Sequence, residues 1–90
     1  MNDKVNIELC VPEIGEKYNI LLPINKKIGT IVKLLDKAVN ELSQGDFRLT
    51  NTCKLYNADT FQIYEANVIL FKTDIRNGTK LILLSKDMQW

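Results

Sequence analysis

The 90-residue chain contains no histidine. That removes the usual general base from any serine or cysteine nucleophile, and the commonest nitrogen ligand from any zinc site. Two thiols, Cys10 and Cys53, stand far apart in sequence and in no Cys-x-x-Cys arrangement. They read as structural thiols or as a redox switch; a ferredoxin-type cluster needs four thiolates. Gly15, Gly29, Gly45 and Gly78 are scattered singly, so no run of glycine amides can cradle a phosphate. The carboxylates fall in turns or on the wet side of a helix, in a domain too small to form a cleft that would perturb them. No catalytic, metal-binding or cofactor-binding residue is assigned, and the chain is read as non-enzymatic.

Other function classes fall on composition. A chain that is 46% hydrophobic and 26% charged is ordinary for a folded domain, and its length suits one domain. That domain is placed at residues 1–85, followed by a mobile tail at 86–90. Twelve basic and eleven acidic residues are mixed along the chain, for a net charge of +1. A nucleic-acid binder would gather a basic excess, and none is visible. The start, Met1-Asn2-Asp3-Lys4, is polar and unlike a signal peptide. Apolar runs such as Leu81-Ile82-Leu83-Leu84 fall far short of the ~20 residues a membrane helix needs. A cytoplasmic setting with reduced thiols is expected.

What remains is surface, and the elements decide which surface. Val5, Ile7, Leu9 and Val11 alternate with Asn6, Glu8 and Cys10, the period of a half-buried strand. A turn at 12–17 leads into a second strand with Tyr18, Ile20 and Leu22 inward, ended by Pro23. The period then changes. At 100° per residue, Ile28, Ile31, Val32, Leu34, Leu35, Ala38, Val39 and Leu42 share one side of a helix. Gly29, Thr30, Lys33, Asp36, Lys37, Asn40 and Glu41 take the other, and Gly45 suits the left-handed exit. A short strand is expected at 47–51, with Phe47 and Leu49 inward. A small hairpin follows within 53–64, turning at Asn57-Ala58-Asp59-Thr60. Residues 68–75 are expected to form a turn of helix or a loop, with Leu70 and Ile75 tucked in. Arg76-Asn77-Gly78 is the strongest turn signal, and 80–85 is the last strand.

The order ββαβββ, with a last strand apolar on both faces, predicts an α+β fold. A mixed sheet of four to five strands packs on one helix at about 28–42, with the last strand parallel to the first. That is the β-grasp. Within it, Arg48-Leu49 and Lys54 resemble ubiquitin's third strand, and Leu70, Ile75, Leu81 and Leu83 resemble its closing segment. The tail Lys86-Asp87-Met88-Gln89-Trp90 departs from ubiquitin in lacking Gly-Gly. Conjugation through a terminal glycine carboxylate is therefore not expected. Among ubiquitin-like proteins without Gly-Gly, the chain is most similar to the YukD/EsaB type. The resemblance lies in the early first strand, in Tyr18-Asn19-Ile20-Leu21-Leu22-Pro23, in the polar-aromatic hairpin and in Asp74-Ile75-Arg76-Asn77-Gly78-Thr79-Lys80-Leu81. It implies a cytosolic accessory or regulatory subunit of a bacterial type VII (WXG100 or ESX-like) secretion system. Such a subunit would have a protein partner, a membrane secretion component among the candidates, with no nucleic acid and no membrane insertion.

Alternation puts Ile82 and Leu84 on the side of the sheet away from Leu81, and Leu21 points the same way. In ubiquitin that sheet face carries the apolar patch that partners cover. Ile82, Leu84 and Leu21 are the candidate binding residues, with Thr50 standing where ubiquitin has an apolar one. The competing explanation is scattered surface apolars. Lys26, Lys27, Lys33 and Lys37 form a secondary candidate surface for an acidic partner, or simply a solvated helix face. A Ras-association or ubiquitin-like adaptor domain of a larger signalling protein is the alternative function; a structural oligomer subunit is the third.

Overall fold

The computed structural model describes residues 3–47 and 53–85. Strands β1 (Lys4–Val11) and β2 (Glu16–Pro23) pair antiparallel, with Val5 opposite Leu22, Ile7 opposite Ile20 and Leu9 opposite Tyr18. Pro12, whose missing amide donor costs nothing at the start of a helical turn, opens a 3-10 turn between them. The chain continues through helix α1 (Ile28–Leu42), β3 (Lys54–Asn57) and β4 (Lys80–Leu84). The sheet order is β2-β1-β4-β3. Leu9 lies beside Leu81 in a parallel β1–β4 pair, and β3 runs antiparallel to β4. Among the described residues, one helix on a mixed four-stranded sheet makes the β-grasp that the apolar periodicity predicts.

The core fills the space between helix and sheet. Ile7, Leu9, Val11, Leu22, Leu55, Leu81 and Leu83 come from the strands; Ile28, Ile31, Leu35 and Val39 come from α1. Phe47, Leu70 and Ile75 close it from the loops. The first helix amides have no side-chain cap. Ile28 and Gly29 donate instead to the carbonyls of Val68 and Ala66, at 2.8 and 2.9 Å. Glycine suits that close approach, since a Cβ at Gly29 would lie a tight 3.3 Å from Ala66. At the far end Gly45 turns to φ 90° and its amide donates to Asn40 O.

The buried arc of α1 is rotated from the one its apolar residues define. Leu34 and Leu42, expected inward, are 50% and 55% exposed, whereas Asp36, expected in water, is 3% exposed. Asp36 lies about 40° around the helix from Val32, on the flank above β3. There Cys53 packs in and its thiol donates to Asp36 Oδ1 at 3.6 Å. Leu34 lies on the opposite flank, where the sheet ends at β2, whereas Leu42, between Ile31 and Leu35 around the axis, is exposed as the last residue of the helix.

The segment after β3 also differs. Asn57 does turn the chain, its Oδ1 accepting from the amides of Asp59 and Thr60 at 2.8 and 3.0 Å. Phe61 then takes φ 60°, its amide closing on Asn57 O, and the return arm pairs with β3 at a single bridge, Tyr56–Ile63. The order among the described residues is ββαββ. Phe47 is buried outside any strand; the rest of the expected 47–51 strand, with Thr50, and the 86–90 tail lie outside the described residues.

Two polar clasps hold the loops. The Tyr64 hydroxyl donates to Asp74 Oδ1 at 2.7 Å and accepts from Asn57 Nδ2 at 3.0 Å. Burial, reinforced by the Asp74 carboxylate and opposed by Asn57, pushes this phenol up to about 12. Ahead of β4, Asn77 Oδ1 accepts from the Asn6 amide and Gly78 donates to Asn6 O, both at 2.8 Å, stitching the turn to β1.

Urea denaturation separates the two flanks of α1. Leu35→Ala should cost about 2–5 kcal/mol as a core truncation, and Leu34→Ala no more than about 0.5–1 kcal/mol. Tyr64 gives a pH signature. An unfolded tyrosine loses its proton near 10.0, before the folded one does. The clasp's contribution is therefore complete below pH 10 and declines as pH rises toward 12. Stability measured against pH should fall less steeply over that window in Tyr64→Phe; identical slopes would remove Tyr64 as the cause.

Candidate functional site

The outer face of the sheet is built by the residues that alternation excludes from the core. The pairing registers align Lys17 on β2, Cys10 on β1, Ile82 on β4 and Tyr56 on β3 in one row across the strands. The bridge from Tyr56 adds Ile63, which is 46% exposed. Cys10, Ile82 and Tyr56 are half-buried, and Leu84, beside Ile82 along β4, is opposite Lys54. Cys10 to Ile63 is three strand spacings, an apolar row about 14 Å long. The Tyr64 clasp holds the arm that carries Ile63.

Charge on this face is one-sided. Its strand residues include Lys4, Lys17, Lys54 and Lys80 against the single carboxylate of Glu8. Four lysines and one glutamate give +3 on a chain whose total is +1, leaving −2 for everything else. An apolar row inside a basic rim suits a partner with apolar anchors and acidic surroundings.

The sequence-predicted residues are distributed as follows. Ile82 and Leu84 lie together on the outer face. Leu21 lies on the same face, 62% exposed, but opposite Asn6, near the Gly78 end of β4 and away from Leu84. It belongs to no common patch with them. Lys26, Lys27, Lys33 and Lys37 are all exposed, yet they do not form one surface. Lys26 and Lys27 sit in the loop ahead of α1, while Lys33 and Lys37 are a turn apart on its solvent side. Tyr56 and Ile63 were missed. Tyr56 was legible from its phase, since Leu55 beside it faces the core; Ile63 was not, because the return of its arm depends on the left-handed Phe61.

No arrangement for catalysis assembles around these residues. Among the described residues no three His, Cys, Asp or Glu side chains gather as a metal site. Cys53, the buried thiol, is tied to Asp36 beneath a depression lined by Ile28, Val32, Lys33 and Tyr64. No helix among the described residues is long and apolar enough to cross a membrane.

No family model matches the chain, and no curated protein matches its sequence. Solved structures match its shape. The EccD5 ubiquitin-like domain from Mycobacterium xenopi superposes with a TM-score of 0.75 at 16% identity, over 93% of this chain and 96% of that one. A chain of the MycP5-free ESX-5 inner membrane complex gives 0.68 at 18% identity, over 99% of this chain and 23% of the larger one. The N-terminal ubiquitin-like domain of the 4931431F19Rik protein gives 0.67 at 13% identity, over 100% and 82%. At these identities the likeness is one of fold: the chain has the ubiquitin-like β-grasp.

Proposed function

We propose that this chain is a non-catalytic protein-interaction domain that docks through the outer face of its sheet on a component of a type VII secretion machine. The observation that carries the docking face is the row Cys10–Ile82–Tyr56–Ile63, with Leu84 beside it, inside a lysine rim. Water solvates such a row poorly, and a partner that covers it gains apolar burial at the centre and charge pairing at the edge. The secretion assignment draws its support from the resemblance to the YukD/EsaB type. The shape shared with the EccD5 ubiquitin-like domain and with part of an ESX-5 inner membrane complex supports the same reading. In that setting the domain is an accessory subunit at the cytoplasmic side of a membrane assembly.

The test compares two faces in the native host. Ile82→Asp combined with Leu84→Asp should leave the fold intact and weaken recovery of the secretion apparatus by about 2 kcal/mol or more, the threshold of an interface anchor. Lys33→Glu combined with Lys37→Glu should alter only salt dependence. If the helix variant loses the apparatus and the sheet variant keeps it, the docking face is wrongly assigned. If tagged wild-type protein recovers no secretion subunit under conditions that preserve the complex, the secretion assignment fails.

A further inference from the structure

The turn that joins β3 to its return arm is built around Asn57. The Asn57 amide donates to Gln62 O at 2.9 Å, and its carbonyl accepts from the Phe61 amide at 2.8 Å. Its side chain accepts from the amides of Asp59 and Thr60 and donates to the Tyr64 hydroxyl. Thr60 Oγ1 accepts from Gln62 N–H at 3.2 Å, and Ala58 N–H donates to Lys80 O at 2.9 Å. These bonds fix the path of residues 57–62. The path ends in a left-handed residue, Phe61 at φ 60°. Glycine or asparagine takes that conformation readily; an aromatic residue does so only under strain.

Phe61 is also 71% exposed, so packing within the domain does not offset the strain. Two unfavourable features fall on one residue: a left-handed backbone and an aromatic ring in water. The other isolated surface apolars carry only the second. Leu21 lies in a regular strand and Phe71 in a 3-10 turn, neither with positive φ, and chance exposure accounts for them.

The place of the turn says what covers the ring. Its base is the Tyr56–Ile63 bridge, the end of the outer-face row. Phe61 precedes Ile63 by two residues, at most about 7 Å of chain. A standard interface covers about 800 Å² of each partner, a patch about 30 Å across. A protein lying over the row, about 14 Å long, therefore reaches Phe61 as well.

We propose that Phe61 is the anchor of the docking face, presented on a rigid turn to an apolar pocket in the partner protein that covers the outer-face row. This role rests on the docking face proposed above and names the residue that fixes the partner's position on it. A ring whose backbone is already held loses little freedom on binding, and the pocket removes it from water.

Phe61→Asn separates an anchor from a structural residue, because asparagine suits the left-handed backbone and carries no ring. Tm should rise by a few degrees, while recovery of the secretion apparatus from native cells should fall at least about tenfold. Phe61→Tyr, which keeps the ring, should recover the apparatus within about threefold of wild type. Ile82→Asp combined with Leu84→Asp, run in parallel, reports on the face itself. If that variant loses the apparatus and Phe61→Asn retains it, Phe61 is no anchor and the outer-face reading stands. If both retain it, the face is wrongly assigned; if wild type recovers none, the secretion assignment fails. Either result removes the anchor's partner and overturns the proposal. A Tm that is unchanged or lower in Phe61→Asn shows that the fold itself needs the ring, and overturns it too. Concentration-dependent self-association that Phe61→Asn abolishes seats the ring in a second copy and overturns it as well.

Discussion

Leu9 and Leu81 lie side by side on the two central strands, parallel and fully buried. That pairing fixes both faces of the sheet at once. Two residues onward along one face come Val11 and Leu83, also buried; one residue onward come Cys10 and Ile82, facing away from α1. A slip of one residue between β1 and β4 would exchange core and outer face. The Asn77–Gly78 turn prevents it, because its side chain and its backbone both bond to Asn6 and set where β4 begins.

A small core leaves little spare burial, and this chain spends its apolar residues in two ways. Those that cover the helix–sheet interface are fully enclosed, down to Phe47, Leu70 and Ile75 from the loops. Of the rest, Leu21, Phe61 and Phe71 stand singly on the surface, and others are grouped. Ile82, Tyr56 and Ile63 form a cross-sheet row. It does not improve packing, and it presents surface that a partner can cover.

The fold was legible because its signals are periodic. Alternation at residues 5–11 and the helical period at 28–42 located β1, β2 and α1 to within a residue or two. The two-faced apolar run at 81–84 identified a central strand. The failures have local causes. Helical periodicity orders residues around an axis and leaves the centre of the buried arc to the neighbours. Asp36 was therefore misplaced by a contact from Cys53, and Leu34 by the position of the sheet's edge. The segment after β3 failed because one left-handed residue, Phe61, converts a hairpin into a turn with a single bridge. For the site, strand phase was enough to put Ile82 and Leu84 on the outer face. Grouping Leu21 with them required the β1–β2 register, which no residue pattern states.

The central claim is that the outer sheet face, and not the solvent side of α1, meets the secretion machine. A photo-crosslinking residue placed at Tyr56, and separately at Lys37, tests it most directly in living cells of the native host. The account predicts a crosslink from position 56 to a membrane subunit of the secretion system and none from position 37. A crosslink to that subunit from position 37 alone would contradict it.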